Sequence, residues 1–396
     1  MISCQFASKL CPFKATTGLI MTGALSGLRI IEFAGLGPGP FCAMMLADHG
    51  AEIIRIDRVG AKTRTSDPTL RSRKSIALNL KDPSAIALAK ELVKSADGLI
   101  EGLRPGVMER LGLGPDELLS ENPNLVYGRM TGWGQDGPYA PAAGHDINYI
   151  ALAGALHGCG RAGEKPTAPV NYLGDFGGGG MMLAFGMVSA FLAVKNGASG
   201  QVIDCAMTDG TATLMASVWG LYADNLWRDE RGVNLLDSGA HFYDTYETRD
   251  GKYVSIGSIE PKFYQLLLEK TGLTDDPAFE AQREKTAWAS LSEKLTEIFK
   301  MKTRDEWCTL MEMTDVCFAP VLSLAEAPHH PHNVARETFV NVDGVVQPAP
   351  APRFSGTPSV KPQKAPQSGS DTQSVLANLG YDAATIEALR SAGTIG

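Results

Sequence analysis

The stretch LRIIEFAGLGPGPFCAMMLADHGAEIIRID, residues 28–57, decides the fold. It contains an apolar run, a cluster of glycines and prolines, a helical pattern over FCAMMLADHG, and a second apolar run, AEIIRID. Neither run alternates with polar residues, which is typical of strands in a sheet that is covered on both faces. The order strand, turn, helix, strand predicts a βαβ unit with parallel strands.

The same alternation continues along the next part of the chain. A helix is predicted over residues 81–95, and short strands are predicted in ADGLIEG and NLVYGRMTG. Helical patterns follow at residues 145–156 and 176–194, before another short apolar run, QVIDCAM. The succession predicts an α/β protein with a parallel, doubly wound sheet.

A different pattern begins near residue 225. DTYETRDGKYVSIG alternates around an Asp-Gly turn, which is the signature of a β-hairpin, and helical patterns follow at residues 261–271 and 291–313. We therefore predict an N-terminal extension, a large domain, a smaller α+β domain and a final segment that ends in a short helix at 383–391. Their bounds are 1–21, 22–224, 225–335 and 336–396.

Composition excludes one class of function. The 396 residues include 36 Lys and Arg against 44 Asp and Glu, for a net charge of −8. This balance argues against an electrostatic nucleic-acid binder, and an anionic ligand needs a local basic site. The longest apolar segment, residues 181–194, is interrupted by Gly186 and Ser189, so we expect a buried helix and no membrane span.

Seven scattered cysteines, without a CxxC pair, favour a reducing compartment. Residues 1–21 carry Lys9 and Lys14 but no acidic side chain, which fits either a weak targeting peptide or an extended start. The chain has no SKL-type ending. We expect a soluble protein of the cytoplasm or of a mitochondrial or peroxisomal matrix, and not a secreted one.

The turn GLGPGP invites comparison with dinucleotide-binding loops, in which glycines let the backbone approach phosphates. The spacing argues against a nicotinamide site, because Gly35, Gly37 and Gly39 alternate instead of forming GxGxxG. Pro38 and Pro40 also remove two amide donors. A tight turn, or a loop over the polar end of a ligand, is the better interpretation.

Basic side chains cluster after the second predicted strand. At the carboxyl edge of a parallel sheet, such a cluster is where an anionic ligand binds. A solvated charged loop is the alternative, since charge runs usually decorate surfaces. The cluster consists of Arg55, Arg58, Lys62, Arg64, Arg71, Arg73 and Lys74.

Three acid–base side chains stand at predicted helix starts: His145 in GHDINYI, Asp175 in GDFGGGGMM and Glu260 in IGSIEPKFY. The helix dipole holds a histidine in this position toward its neutral form, which can accept a proton. Each residue also fits a structural role. His145 can be a packed histidine beside a helix cap formed by Asp146, Asp175 can itself be a helix cap, and Glu260 can be an acid in the first turn of a helix.

The four glycines after Asp175 each cost about 1 kcal/mol in a helix, so we expect something to approach this backbone closely. His329, His330 and His332 in PHHPHN do not predict a metal site, because two prolines keep the run off a helix and no carboxylate stands at ligand spacing.

Five long motifs, in order, resemble the α-methylacyl-CoA racemases, a family within the family III CoA-transferase superfamily. The resemblance runs from about residue 25 to residue 355, and it implies a Rossmann-like large domain that holds both chain ends, a smaller domain, and an interlocked homodimer. The motifs are EFAGLGPGPFCAMMLADHGAEIIRIDR, RMTGWGQDGPYAPAAGHDINYIALAGAL, GDFGGGGMM, GQVIDCAMTDG and IEPKFY.

The resemblance also implies roles for single residues. His145 and Asp175 are implied as the two bases at the α-carbon, with Glu260 supporting His145, and Arg58 is implied to meet the CoA phosphates. The other implied contacts are Leu78, Asn79, Leu80 and Lys81 for adenosine, Arg110 for CoA, and Gly144, Asp146, Ile147, Asn148 and Tyr149 at the thioester end.

The implied substrate is a 2-methylacyl-CoA, which carries the coenzyme A itself, so no separate cofactor and no metal are expected. The implied reaction is inversion of the α-carbon by 1,1-proton transfer. The alternatives are CoA transfer between carboxylic acids with Asp175 as nucleophile, an inactive CoA-binding protein, and a nicotinamide oxidoreductase. One departure is His241, which stands where the family has proline and puts the shape of the local loop in doubt.

Overall fold

The computed structural model describes residues 23–396, so the predicted extension over 1–21 lies outside the described residues. Its centre is a six-stranded, fully parallel sheet with the strand order β3-β2-β1-β4-β5-β6. This confirms the predicted α/β class and the doubly wound sheet. The strands are β1 (Arg29–Phe33), β2 (Glu52–Arg58), β3 (Arg73–Leu78), β4 (Gly98–Glu101), β5 (Val126–Thr131) and β6 (Gln201–Ala206).

Helices cover both faces of this sheet. They are α1 (Pro38–Asp48), α2 (Pro83–Lys94), α3 (Val107–Arg110), α4 (Pro115–Glu121), α5 (Asp146–Leu152), α6 (Ala155–Gly158), α7 (Met182–Lys195), α8 (Met207–Leu214) and α9 (Ala216–Ala223). Successive residues of β1 point to opposite faces, so Ile31 joins a core with α2, whereas Ile30 joins a second core with α1 and α7. The strands are therefore continuously apolar because helices cover both faces of the sheet, as predicted.

The segment predicted as one helix over 176–194 is a π-helix, Tyr172–Met181, that continues directly into α7. Together they form 24 residues, long and apolar enough to cross a membrane by length and composition alone. The prediction treated residues 181–194 in isolation, and the real helical segment is longer. In the protein, Leu183, Ala184, Met187 and Ala190 of α7 are buried in the core against the sheet.

The smaller part of the chain has its own core, with Phe242, Leu267, Leu295 and Trp307 fully buried. The predicted hairpin is present as β7 and β8, and the helix predicted over 261–271 is α10. The single helix predicted over 291–313 is two helices, because a capping box at Thr303 starts the second one. The elements are β7 (Tyr243–Glu247), β8 (Tyr253–Gly257), α10 (Pro261–Thr271), α11 (Trp288–Phe299), α12 (Arg304–Met311) and β9 (Phe318–Val321).

The last part of the chain returns to the large sheet. Val375, Leu376 and Ile386 are buried in the same core as α2, and Leu78 forms a bridge with Ile395. The predicted division at residues 225 and 335 stays a prediction. The remaining elements are α13 (Pro331–Ala335), β10 (Phe339–Val342), β11 (Val345–Pro348), α14 (Thr372–Asn378) and α15 (Ala383–Ser391).

Candidate active site

A cavity of about 530 Å³ opens at the carboxyl ends of β1, β4 and β5. Strand order reverses between β1 and β4, and in open α/β sheets ligands bind in the crevice at such a switch point. The loop over residues 35–40, which contains GLGPGP, forms one wall, and Gly144, His145 and Asp175 form another. The turn is therefore a loop at the edge of a ligand cavity.

Asp175 is the fourth residue of the π-helix and is not a helix cap. π-helical turns are rare and occur frequently at functional sites. One oxygen of its carboxyl group, Oδ2, accepts a hydrogen bond of 3.0 Å from Nδ2 of Asn171. On the other side lies Gly37, where a β-carbon would come within 3.0 Å of Oδ2. The backbone of Gly37 has φ +65°, so only glycine meets both demands easily.

His145 is the residue that immediately precedes α5, and its side chain is exposed at the cavity. Its backbone N–H donates to Oδ1 of Asn148 at 3.1 Å, which fixes the start of the helix. The predicted pair, His145 and Asp175, thus lines one cavity from two different elements. Gly144 and Tyr149 also line it, whereas Asp146, Ile147 and Asn148 are not among its lining residues.

The surroundings of Asp175 change its acidity. Burial, together with the charge of Asp146, raises the pKa of Asp175 above its ordinary value, although the hydrogen bond from Asn171 and the charge of His145 act in the opposite direction. Burial raises the pKa of Tyr149 as well, with Asp175 and Asp146 adding to the effect. A carboxyl group whose pKa is raised in a cavity is a candidate for proton transfer.

The glycine run has a structural cause that the sequence did not reveal. A β-carbon at Gly178 would come within 2.6 Å of the backbone nitrogen of Thr211 in α8, and one at Gly180 within 2.8 Å of the backbone oxygen of Pro38 in α1. The close approach that was predicted is real, but the approaching groups are other parts of this chain. The run lets the π-helix pack tightly between α1 and α8.

The basic cluster is mostly structural. Arg73 Nε and Arg55 Nη1 both pair with Glu32, at 2.6 and 2.9 Å, inside the sheet. Arg71, Arg64 and Lys74 also form ion pairs, with Asp48, Asp67 and Glu52. Arg55, Arg71 and Arg73 are buried and cannot meet an external anion, so the interpretation of the whole cluster as an anion site is wrong for these three side chains. Arg64 and Lys74 are paired but partly exposed, and their part in an anion site stays a prediction. Arg58 and Lys62 are exposed and form no ion pair with any described residue.

One functional candidate escaped the sequence prediction. Arg104 follows β4, lines the cavity, is exposed, and has no ion-pair partner within residues 23–396. Arg110, predicted as a CoA contact, is exposed on α3, which begins just after this loop. The sequence signal for Arg104 is an isolated arginine just beyond a predicted parallel strand, where ligands bind in sheets of this class.

The predicted adenosine segment lies at the end of β3. Leu78 is fully buried in the core, while Asn79 and Leu80 are partly exposed and Lys81 is exposed. The backbone N–H of Asn79 donates to the carbonyl of Thr394 at 2.9 Å. Neither the side chain nor the backbone of Leu78 is exposed for contact with a ligand. The adenosine assignment itself stays a prediction.

Glu260 lies away from the other two predicted catalytic residues. It immediately precedes α10 in the smaller part of the chain, where its charge acts on Cys317, and it does not line the cavity. The chain by itself thus brings His145 and Asp175 together but not Glu260. Its support of His145 stays a prediction.

Two features elsewhere bear on the other expectations. His330 Nε2 contacts Glu312 Oε1 at 2.9 Å, and no group of three or more His, Cys, Asp or Glu within residues 23–396 is placed to hold a metal ion.

His241 is fully buried, and its Nε2 lies 2.8 Å from the hydroxyl oxygen of Tyr264. The departure from proline thus places an imidazole in the core of the smaller part.

A second cavity, of about 970 Å³, lies between α6, α9 and the segment that leads to β7. Its walls include Trp219, Tyr222 and Trp227, and none of the predicted catalytic residues lines it. Volume alone would favour this cavity, but His145 and Asp175, the predicted bases, line the first.

Comparison with known proteins identifies the family of the chain. The sequence pattern described as CoA-transferase family III matches residues 25–372. The chain is 44% identical over 371 residues to alpha-methylacyl-CoA racemase of Mus musculus, covering 93% of this chain and 96% of that protein. It is 30% identical over 399 residues to the succinyl-CoA–L-malate CoA-transferase alpha subunit of Chloroflexus aurantiacus, with coverages of 93% and 91%. Its fold resembles a CAIB/BAIF family protein from Brucella suis, with a TM-score of 0.80, 23% identity, and coverages of 90% and 100%.

Proposed function

The chain belongs to CoA-transferase family III, and within that family we propose that it is a racemase that inverts the α-carbon of 2-methylacyl-CoA thioesters. The observation that carries the proposal is the presence of an imidazole, His145, and a carboxyl group, Asp175, in one cavity at the edge of the sheet. The similarity to the mouse racemase supports it. The substrate brings its own coenzyme A, and we propose no separate cofactor.

Inversion needs two groups that exchange protons with opposite faces of one carbon. One member of the pair removes the α-proton, and the other returns a proton to the opposite face, with the roles reversed for the other enantiomer. Each member must therefore hold and release a proton near neutral pH. The raised pKa of Asp175, caused mainly by burial, moves this carboxyl group toward that range.

The α-proton itself is a weak acid, and the site must stabilise the intermediate. With a pKa on the order of 20, its removal by a base of pKa near 7 costs about 18 kcal/mol at 1.36 kcal/mol per unit. Donors aimed at the enolate oxygen must lower this cost. The backbone N–H of Asp175 is not available, since it donates to Asp146, but the N–H groups of Asp146 and Ile147 in the first turn of α5 have no partner among the described residues.

We further propose that the enzyme is a homodimer in which Glu260 of the partner subunit completes each site. Glu260 lies outside the cavity of its own chain, and an apolar stripe that runs from the last residue of the π-helix along α7 is exposed. Met181, Phe185, Val188 and Leu192 form this stripe, at intervals of three or four residues. Exposed apolar stripes of this kind mark protein interfaces. The described cysteines are free thiols, which supports a location in the cytoplasm or an organellar matrix.

Exchange of the α-hydrogen with deuterated water tests the proposal. The wild type should incorporate deuterium into a single enantiomer of 2-methylacyl-CoA and convert it to the racemate. The double variant His145→Ala/Asp175→Ala should do neither. Full exchange in this variant would overturn the assignment of the two bases.

CoA transfer is the second candidate, and the Chloroflexus relative favours it. In that reaction Asp175 is a nucleophile that forms an acyl anhydride, and a second base is not required. His145 in the same cavity therefore favours the racemase. Incubating a CoA thioester of one acid with a second free acid distinguishes the two, because only a transferase moves CoA between them.

A further inference from the structure

A second carboxylate lies directly behind Asp175. Asp146, in the first turn of α5, is buried, with 6% of its surface exposed. Its Oδ1 accepts a hydrogen bond of 2.6 Å from the backbone N–H of Asp175. A β-carbon at the preceding Gly174 would come within 2.6 Å of the same oxygen, so the residue before Asp175 must be small for this contact to form.

This carboxylate is poorly compensated. Its Oδ2 is buried and accepts no hydrogen bond from residues 23–396, and the side chain forms no ion pair with any of them. A buried carboxylate with an oxygen left unsatisfied is costly, so a chain rarely keeps one without a functional reason. A helix cap alone would not explain it, because the start of α5 is already fixed by the bond between His145 and Asn148.

We propose that Asp146 is a positioning residue for proton transfer at Asp175: its carboxylate holds the backbone of Asp175 in place, and its charge acts on the Asp175 side chain. The inference rests on the proposed racemase function and deepens it. It gives Asp146 a role different from the substrate contact at the thioester end that the resemblance implies.

The pKa of Asp175 depends on the groups that face its carboxyl group, and Asp146 is one of them. They are His145 just before α5, Asp146 and Tyr149 within α5, and Asn171 just before the π-helix. The charge of Asp146 favours the protonated carboxyl group, while the hydrogen bond from Asn171 favours the ionised one. Asp146 and Asn171 therefore have opposite effects on the pKa of Asp175. Removing Asp146 should lower this pKa, and removing the Asn171 amide should raise it.

Two variants test this. Asp146→Asn keeps an oxygen to accept the Asp175 N–H but removes the charge, whereas Asn171→Ala removes the opposing donor. A two-base racemase is active when one base of the pair is protonated and the other is not. The fall of kcat/KM on the acid side of its pH profile, the acid limb, therefore reports the lower of the two coupled ionisations. We expect this limb to move to lower pH in Asp146→Asn and to higher pH in Asn171→Ala, with KM for the thioester changing less than twofold in both.

The outcomes are distinguishable from failure of the proposed function. If the wild type exchanges no α-hydrogen, the racemase proposal fails first. If the wild type is active and the acid limb stays in place in both folded variants, the role of Asp146 is refuted. If Asp146→Asn does not fold and the limb of Asn171→Ala also stays in place, Asp146 is a structural residue only and the inference is overturned.

Discussion

Gly37 and Asp175 are in direct contact across the cavity wall, such that a β-carbon on Gly37 would lie 3.0 Å from Oδ2 of Asp175. The first βα turn and the π-helix are far apart in the chain, so this contact sets the position of the Asp175 carboxyl group relative to the edge of the sheet. A glycine that looks like part of a phosphate loop thus acts as a spacer for an acid.

Gly37→Ala should reduce kcat by about 10- to 100-fold, because the methyl group displaces the Asp175 carboxyl from its place. Gly60→Ala is the matched control, since Gly60 also has a positive φ, +76°, but nothing lies within 4 Å of its added carbon. Both variants place alanine at a positive φ, and urea unfolding measures the strain that each suffers. Equal activity of the two would show that the contact does not matter.

Single-base variants should separate the two halves of the reaction. We expect His145→Ala and Asp175→Asn each to lose racemisation by about 10²- to 10⁴-fold, since each lacks one of two proton carriers. Each should still exchange the α-hydrogen of one enantiomer, and the two variants should differ in which enantiomer that is. Proton NMR in deuterated water, starting from each pure enantiomer, measures this. Exchange of both enantiomers by one variant would contradict a two-base mechanism.

Arg104 and Arg58 lie at the carboxyl edge of the sheet and form no ion pair with any described residue, and we expect them to bind the anionic part of the substrate. Arg104→Ala and Arg58→Ala should each raise KM by about 10- to 100-fold, the loss of one charged hydrogen bond, with kcat nearly unchanged. Arg64→Ala is the control, because Arg64 is exposed but already pairs with Asp67 at 2.7 Å. A KM effect as large in Arg64→Ala would point to general electrostatics.

The strands and helices around the sheet were predictable because their apolar periodicity is local. β3 was missed, since Arg73 and Lys74 open it and look like surface charge, although they pair with Glu32 of β1 and Glu52 of β2. Such pairing is invisible until the strand order is known. The same reason hid the packing of Gly178 against α8 and the ion pair between Arg71 and Asp48.

One part of the candidate site was predictable from the sequence and another part was not. His145 and Asp175 were predictable from motifs at element ends, and the sheet topology then brings them together. The hydrogen bond from Asp175 to Asp146 was not predictable, because it depends on the turn of a π-helix that no periodicity announces.

His241 should make the smaller part of the chain sensitive to acid. Burial lowers the pKa of His241 from its ordinary value of 6.5 to about 4. Between these values the unfolded chain binds a proton that the folded one does not, so the contribution of His241 to stability is complete above pH 6.5 and is lost progressively as the pH falls from 6.5 to about 4. The loss amounts to about 3 kcal/mol for this group.

Urea unfolding between pH 7.5 and pH 4 measures this loss. His241→Phe carries no titrating ring, and the Tyr264 hydroxyl still donates to the carbonyl of Phe279 at 3.1 Å. We expect its free energy of unfolding to depend less on pH than that of the wild type. Parallel curves for the two proteins would mean that other groups govern acid sensitivity.

Glu260 can act in its own chain or in the partner's, and a mixed dimer distinguishes the two. Asp175→Asn and Glu260→Gln should both be nearly inactive as homodimers. If each site combines Asp175 of one subunit with Glu260 of the other, a purified heterodimer contains one site with both substitutions and one site with neither. It should then recover about half of the wild-type rate, one active site of two. If Glu260 serves its own chain, both sites carry one substitution and the heterodimer stays inactive. Co-expression with two affinity tags supplies the heterodimer, and a Glu260→Gln homodimer of full activity would remove Glu260 from the mechanism.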